Sequence, residues 1–158
     1  MPDSLPPNAY QDIVRSIERL HRRFLDLIRT QLRRDGISDV NAVQALLLHN
    51  IGGDDVVMRD LKDRGYYFGS NVSYNIRKLA EAGYISQERD PHDRRAIRLR
   101  ITNKGLALCH RIALLQDRMA DKLSDNGLSA DILSAMAMDL RRIDRIWSAH
   151  ITGRDAAP

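Results

Sequence analysis

Cysteine occurs once in the 158-residue chain, at Cys109, which excludes an intrachain disulfide and a zinc site built on cysteines. Aromatic residues make up 5% and β-branched runs are few, so an all-β architecture is not expected and a mainly helical one is. No segment approaches the roughly 18 apolar residues that a membrane span requires. Residues 1–7 carry neither a basic n-region nor an apolar h-region, so a cytoplasmic protein without a membrane partner is expected. The five histidines, His21, His49, His92, His110 and His150, stand without metal-ligand spacing. There is no phosphate-binding glycine loop or nucleophile motif either, so no enzyme, metal site or cofactor is expected.

What the chain has in excess is arginine. Of 25 basic residues 21 are arginine, the side chain whose forked donors suit phosphate and guanine. The net charge of +4 is unevenly placed: residues 59–104 hold eleven Lys or Arg against six Asp or Glu, a balance of +5 that leaves −1 for the rest. A basic segment of this kind is either a solvated face or a surface for a polyanion.

Ile13, Ile17, Leu20, Phe24, Leu27 and Ile28 recur at helical spacing, which predicts a long helix from Ala9, capped by Asn8, to a stop at Gly36. Ser38 or Asp39 opens a short apolar helix over 43–49. Val57 and Leu61, four apart, predict a two-turn helix over 56–64. After a turn at 65–69, Ser70 caps a helix to about Ala82, with Gly83 as its stop. Two short helices joined by a tight turn are the sequence form of a helix-turn-helix. The period then changes to alternation, predicting strands over 84–88 and 96–101 around a loop at 89–95 that contains Pro91. Thr102 caps a helix running towards Leu123. Asn126 and Gly127 break the chain, and Ser129 starts a last helix with Ile132, Met136, Leu140, Ile143 and Trp147 on one side. The expected fold is mainly α with a small β-hairpin, six helices in all.

On the 70–82 helix, Val72, Ile76, Leu79 and Ala80 share one arc and would face a core. Ser70, Tyr74, Arg77 and Lys78, flanked by Asn71 and Ser73, occupy the opposite arc. Such groups can hydrogen-bond base edges or phosphates in a major groove; the plainer alternative is a solvated helix face. The hairpin loop reads Arg89, Asp90, Pro91, His92, Asp93, Arg94, Arg95, longer than a structural turn needs, and Arg98 and Arg100 follow on one face of the second strand. An arginine at a projecting tip suits a narrow minor groove, with Asp90 and Asp93 holding neighbouring arginines in place. A solvated loop with self-cancelling charges is the alternative. Cys109 lies among Leu106, Leu108, Ile112 and Ala113, where a thiol packs and reacts poorly.

Gly83, Tyr84 and Ile85, then residues 89–96, and finally Leu99, Arg100, Ile101, Thr102, Asn103, Lys104 and Gly105 resemble the wing signature of MarR-type regulators. Leu79, Ala80, Glu81, Ala82 and Gly83 resemble the end of that family's recognition helix. The long first helix and the two terminal helices fit the same pattern, so the resemblance covers nearly the whole chain. The aromatic run Tyr66, Tyr67, Phe68 departs from the family at large and is similar to a subgroup that includes the L,D-transpeptidase regulator.

The resemblance implies a winged helix-turn-helix transcriptional regulator that binds pseudo-palindromic duplex DNA as a homodimer. Segments 1–36 and 103–158 would supply the dimer helices and 37–102 the DNA-binding domain. Ser70, Asn71, Ser73, Tyr74, Arg77 and Lys78 would face the major groove and Arg94, Arg95 and Arg98 would act at the wing, whose geometry Asp90 and Asp93 would set. A small aromatic ligand is implied too, with His21, Phe24, Asn50, Met58, Tyr66 and Tyr84 as candidate lining. The rival reading is a winged-helix module that binds protein and not DNA. That reading calls for an apolar outward face and an uncharged wing, and the sequence has neither.

Overall fold

The computed structural model describes residues 6, 8–52, 56–57, 70–93 and 95–153. Among these are five helices and one three-stranded sheet. They fall in two compact units, Met1–Leu115 and Gln116–Pro158.

In the first unit, α1 (Ala9–Arg34) is amphipathic and turns Ile28 and Leu32 fully inward, while Ile13, Leu20 and Leu27 stay exposed. Its start is held by backbone, Ala9 N–H donating to the Pro6 carbonyl at 3.0 Å. The expected Asn8 cap does not form: Asn8 is itself near the helical region (φ −100°, ψ −15°), whereas a capping side chain needs extended backbone. Next, α2 (Ala42–Ile51) is apolar all round and buries six of its ten residues. It opens at Asn41, not at Ser38 or Asp39. Asn41 Oδ1 accepts the Gln44 N–H at 2.9 Å and Gln44 Oε1 accepts the Asn41 N–H at 3.0 Å, a reciprocal capping box.

The helix expected over 56–64 is corrected at its start. Val56 and Val57 form a short strand, β1 (Val56–Val57), paired antiparallel with Leu99 and Arg98. Two β-branched residues suit that extended edge better than a helix start. The remainder of the predicted segment, 58–64, lies outside the described residues. The helix α3 (Ser70–Glu81) counts Ser70 as its first residue. It ends on Gly83, whose φ of +79° lets Tyr84 N–H return to the Leu79 carbonyl at 2.9 Å.

The hairpin joins β2 (Ile85–Arg89) to β3 (Ile97–Ile101), with Ile85 opposite Ile101 and Arg89 opposite Ile97. Both ends of β2 and the start of β3 lie one residue beyond the predicted ones, while β3 ends at Ile101 as expected, so the loop spans 90–96. Strand β3 is central, in the order β1-β3-β2. Thr102 then caps α4 (Asn103–Asp125), its Oγ1 accepting the Gly105 N–H at 3.2 Å. A Cβ on Gly105 would stand 2.2 Å from the Tyr84 carbonyl oxygen and 2.5 Å from Ile101 Cγ2, so glycine is what lets α4 start against the sheet.

The second unit holds the end of α4 and α5 (Ala130–Ile151). Ser129 caps α5 by accepting the Ile132 N–H at 3.3 Å, and α5 buries none of its residues. Among the described residues no helix is long and apolar enough to cross a membrane.

Candidate nucleic-acid interface

The inner arc of α3 seats it. Val72, Ile76 and Leu79 are almost completely buried, each worth roughly 1.5–3 kcal/mol. Gln44 Nε2 on α2 donates to Asn75 Oδ1 on α3 at 3.3 Å, so the residue that closes the cap of α2 also ties it to α3. Local periodicity missed this link, although the Asn-x-x-Gln spacing of the cap was readable.

The outer arc is polar and open. Asn71, Ser73, Tyr74 and Arg77 are exposed and Lys78 is half-buried. The cations Arg77 and Lys78 flank the Tyr74 ring, 5.8 and 5.9 Å from its centroid. Both also face Glu81, Lys78 Nζ at 2.8 Å and Arg77 Nε at 3.8 Å. The hydrogen bond to Glu81 raises the Lys78 pKa and lowers that of Glu81. Of Ser70 only the backbone, at the helix start, is described.

In the wing, Asp90 is the organising residue. It is only 7% exposed, and its Oδ1 accepts the His92 and Asp93 N–H groups at 2.7 and 3.2 Å. Its Oδ2 accepts Arg98 Nε–H at 2.7 Å. These bonds, the His92 amide first and the Arg98 side chain next, hold its pKa down at about 2. Asp93 bonds the backbone of the same loop: its Oδ1 accepts the Arg95 N–H at 2.9 Å and its carbonyl accepts the Ala96 N–H at 2.9 Å. Arg95 and Arg100 are exposed, and Arg100 Nη1 reaches Glu88 Oε1 at 3.9 Å. Leu99 between Arg98 and Arg100 is fully buried, as strand alternation requires. Arg94 lies outside the described residues.

Four of the six residues proposed as ligand lining are described: His21, Phe24, Asn50 and Tyr84. A cleft of about 540 Å³ lies at the α1–α2 junction, lined in part by Arg29, Leu32, Arg33, Ile37 and Val40, and His21, Phe24, Asn50 and Tyr84 are not in its wall. His21 is exposed, while Phe24 and Asn50 are half-buried. Tyr84 is buried, with its hydroxyl donating to Asp39 at 2.8 Å. Burial, and then that bond, push the Tyr84 pKa up to about 12. Met58 and Tyr66 lie outside the described residues, as do Tyr67 and Phe68. Burial likewise raises the Cys109 thiol. Among the described residues no three His, Cys, Asp or Glu gather as a metal site.

A family described as winged helix DNA-binding domain matches residues 40–105, the stretch that holds α2, α3 and the wing. The chain is 33% identical over 139 residues to the exopolysaccharide II synthesis transcriptional activator ExpG of Rhizobium meliloti (strain 1021), covering 88% of this chain and 72% of that one. Its fold is similar to Streptococcus pneumoniae FabT in complex with DNA, with a TM-score of 0.71 at 22% identity over 88% of this chain and 97% of that one. It is also similar to a mutant MarR from E. coli complexed with operator DNA, with a TM-score of 0.69 at 20% identity over 89% and 99% of the two chains.

Proposed function

Because the chain belongs to the MarR family of winged helix DNA-binding transcriptional regulators, we propose that it reads a pseudo-palindromic duplex as a homodimer. In each copy α3 enters the major groove and the 90–96 wing follows the adjacent minor groove. The observation that carries this reading is the division of α3, which packs Val72, Ile76 and Leu79 inward and leaves Asn71, Ser73, Tyr74 and Arg77 facing out. That is the surface direct readout needs: amide, hydroxyl and guanidinium donors on a helix narrow enough for the groove.

Roles divide by position. Asn71, Ser73, Tyr74 and Arg77 read base edges, with Ser70 and Lys78 on flanking phosphates. Arg94 and Arg95 supply the wing's contact. Arg98, whose Nε is held by Asp90, braces the wing and presents the rest of its guanidinium to a phosphate. The homodimer is supported by apolar side chains left in water on both terminal helices, among them Leu20 on α1 and Met136 on α5.

Selection of the preferred duplex from a random pool tests the reading. A palindromic product with half-sites about one helical turn apart is expected. Binding to it should weaken steeply with salt. No enrichment, or binding indifferent to salt, would overturn it.

A further inference from the structure

Asp39, on the connection between α1 and α2, receives two donors. Tyr84 Oη–H donates to Oδ1 at 2.8 Å and Lys104 Nζ donates to Oδ2 at 2.6 Å. Lys104 also donates to the Ala82 carbonyl at 2.7 Å, just past the end of α3, and its ammonium stands 4.3 Å from the centroid of the Tyr84 ring. Three side chains thus join four pieces of backbone: the α1–α2 connection, the end of α3, the root of β2 and the first turn of α4. Neither Asp39 nor Lys104 belongs to the outward arc of α3 or to the wing.

Each bond has a physical reason. The last carbonyls of a helix lack intrahelical donors, and a cation there complements the helix dipole. The ring face of Tyr84 attracts the same ammonium. Lys104 and Asp39 are both about half exposed, and exposed ion pairs add little to folding stability. What the cluster does supply is direction: the α1–α2 connection, the end of α3 and the wing root cannot shift separately without breaking a bond to Asp39 or Lys104.

We propose that Asp39 and Lys104 are positioning residues for DNA reading, fixing with Tyr84 the end of α3 and the root of the wing to the α1–α2 connection so that both elements meet the duplex in one orientation. The proposal rests on the role of α3 proposed above.

The test turns on sign. Asp39→Asn keeps an oxygen for Tyr84, removes the anion that holds Lys104 and adds one unit of net positive charge. Were Asp39 felt only through the protein's field, affinity for duplex DNA would rise. Positioning demands a fall, roughly two- to thirty-fold, the range over which residues remote from a ligand modulate its binding. Lys104→Met should produce a fall of similar size with the slope of log affinity against log salt unchanged, since no phosphate contact is lost. Lys104→Arg should recover most of it, and the double variant Asp39→Asn/Lys104→Met should cost no more than the worse single one.

Affinities are taken by fluorescence anisotropy on the selected duplex, well below each variant's unfolding midpoint. Unchanged or tighter binding by Asp39→Asn reduces the cluster to a structural role and overturns the proposal. A slope smaller by about one for Lys104→Met makes Lys104 a phosphate contact and overturns it as well. Failure of the underlying reading looks different: Arg77→Ala would then bind the duplex as the parent does.

Discussion

Asp90 accepts the Arg98 Nε–H at 2.7 Å on one carboxylate oxygen while the other takes the amides of His92 and Asp93. One buried acid therefore ties strand β3 to the turn that precedes it. Its pKa is held at about 2, below the ordinary 3.8, because all three donors favour the charged form. For an acid depressed on folding, the stabilisation is fully present above the unfolded value and is lost as pH falls through the folded one. In an acid titration followed by amide NMR, the His92 and Asp93 resonances should move with a midpoint near 2. A midpoint at the ordinary 3.8 would mean that Asp90 does not hold the turn.

Arg77 tests base reading on α3. Its guanidinium is exposed and engaged only loosely, 3.8 Å from Glu81 and 5.8 Å from the Tyr74 ring, so DNA can take it over at little cost. Arg77→Ala should weaken binding to the selected duplex by roughly 1–3 kcal/mol and narrow its margin over random DNA. Equal losses on both duplexes would make Arg77 a phosphate contact.

Gly105→Ala should be among the most damaging single-methyl additions in the chain. The new Cβ would lie 2.2 Å from the Tyr84 carbonyl oxygen, a backbone atom that is also bonded to the Thr102 N–H at 3.1 Å and cannot swing aside as a side chain could. The cost belongs at or above the upper end of the roughly 1–3 kcal/mol typical of overpacking. Denaturant unfolding at fixed protein concentration measures it; an unchanged midpoint would mean that α4 does not start so close to the sheet.

The elements that sequence reading recovered are those whose evidence is local. The Val72, Ile76 and Leu79 arc repeats at helical spacing, and the alternation around Leu99 marks a strand whatever lies beside it. Val56 and Val57 carried no such mark: two residues have no period, and their partners Leu99 and Arg98 are some forty residues away. Near α2 three good caps compete, Ser38, Asp39 and Asn41, and Asp39 is drawn off by Tyr84 and Lys104, 45 and 65 residues along the chain. The same pairing involves Tyr84, a candidate for ligand lining, whose ring is buried and whose hydroxyl is anchored on Asp39. Within the candidate site, the outward residues of α3 were legible from helix geometry. The Gln44 to Asn75 bond that seats the helix was not, because it joins two helices.

On α5, Ile132, Met136 and Leu140 stand four residues apart and are 45, 50 and 46% exposed. Successive positions four apart share one helix face, so these form a stripe and not scattered surface apolar residues. Burying one such side chain yields roughly 1.5–3 kcal/mol, so a second copy laid along the stripe gains several such increments per chain. Two acids placed in it must be desolvated on association or left unpaired between copies, which reverses the gain. Met136→Glu/Leu140→Glu should therefore convert the proposed dimer to a monomer in sedimentation equilibrium, with each copy's helical content retained because α5 buries none of its residues. Loss of pairing should also abolish tight binding to a duplex with two half-sites while leaving weak binding to one half-site. A double variant with the parent's mass, or a parent that is already monomeric at the concentrations used for DNA binding, would remove α5 from the interface.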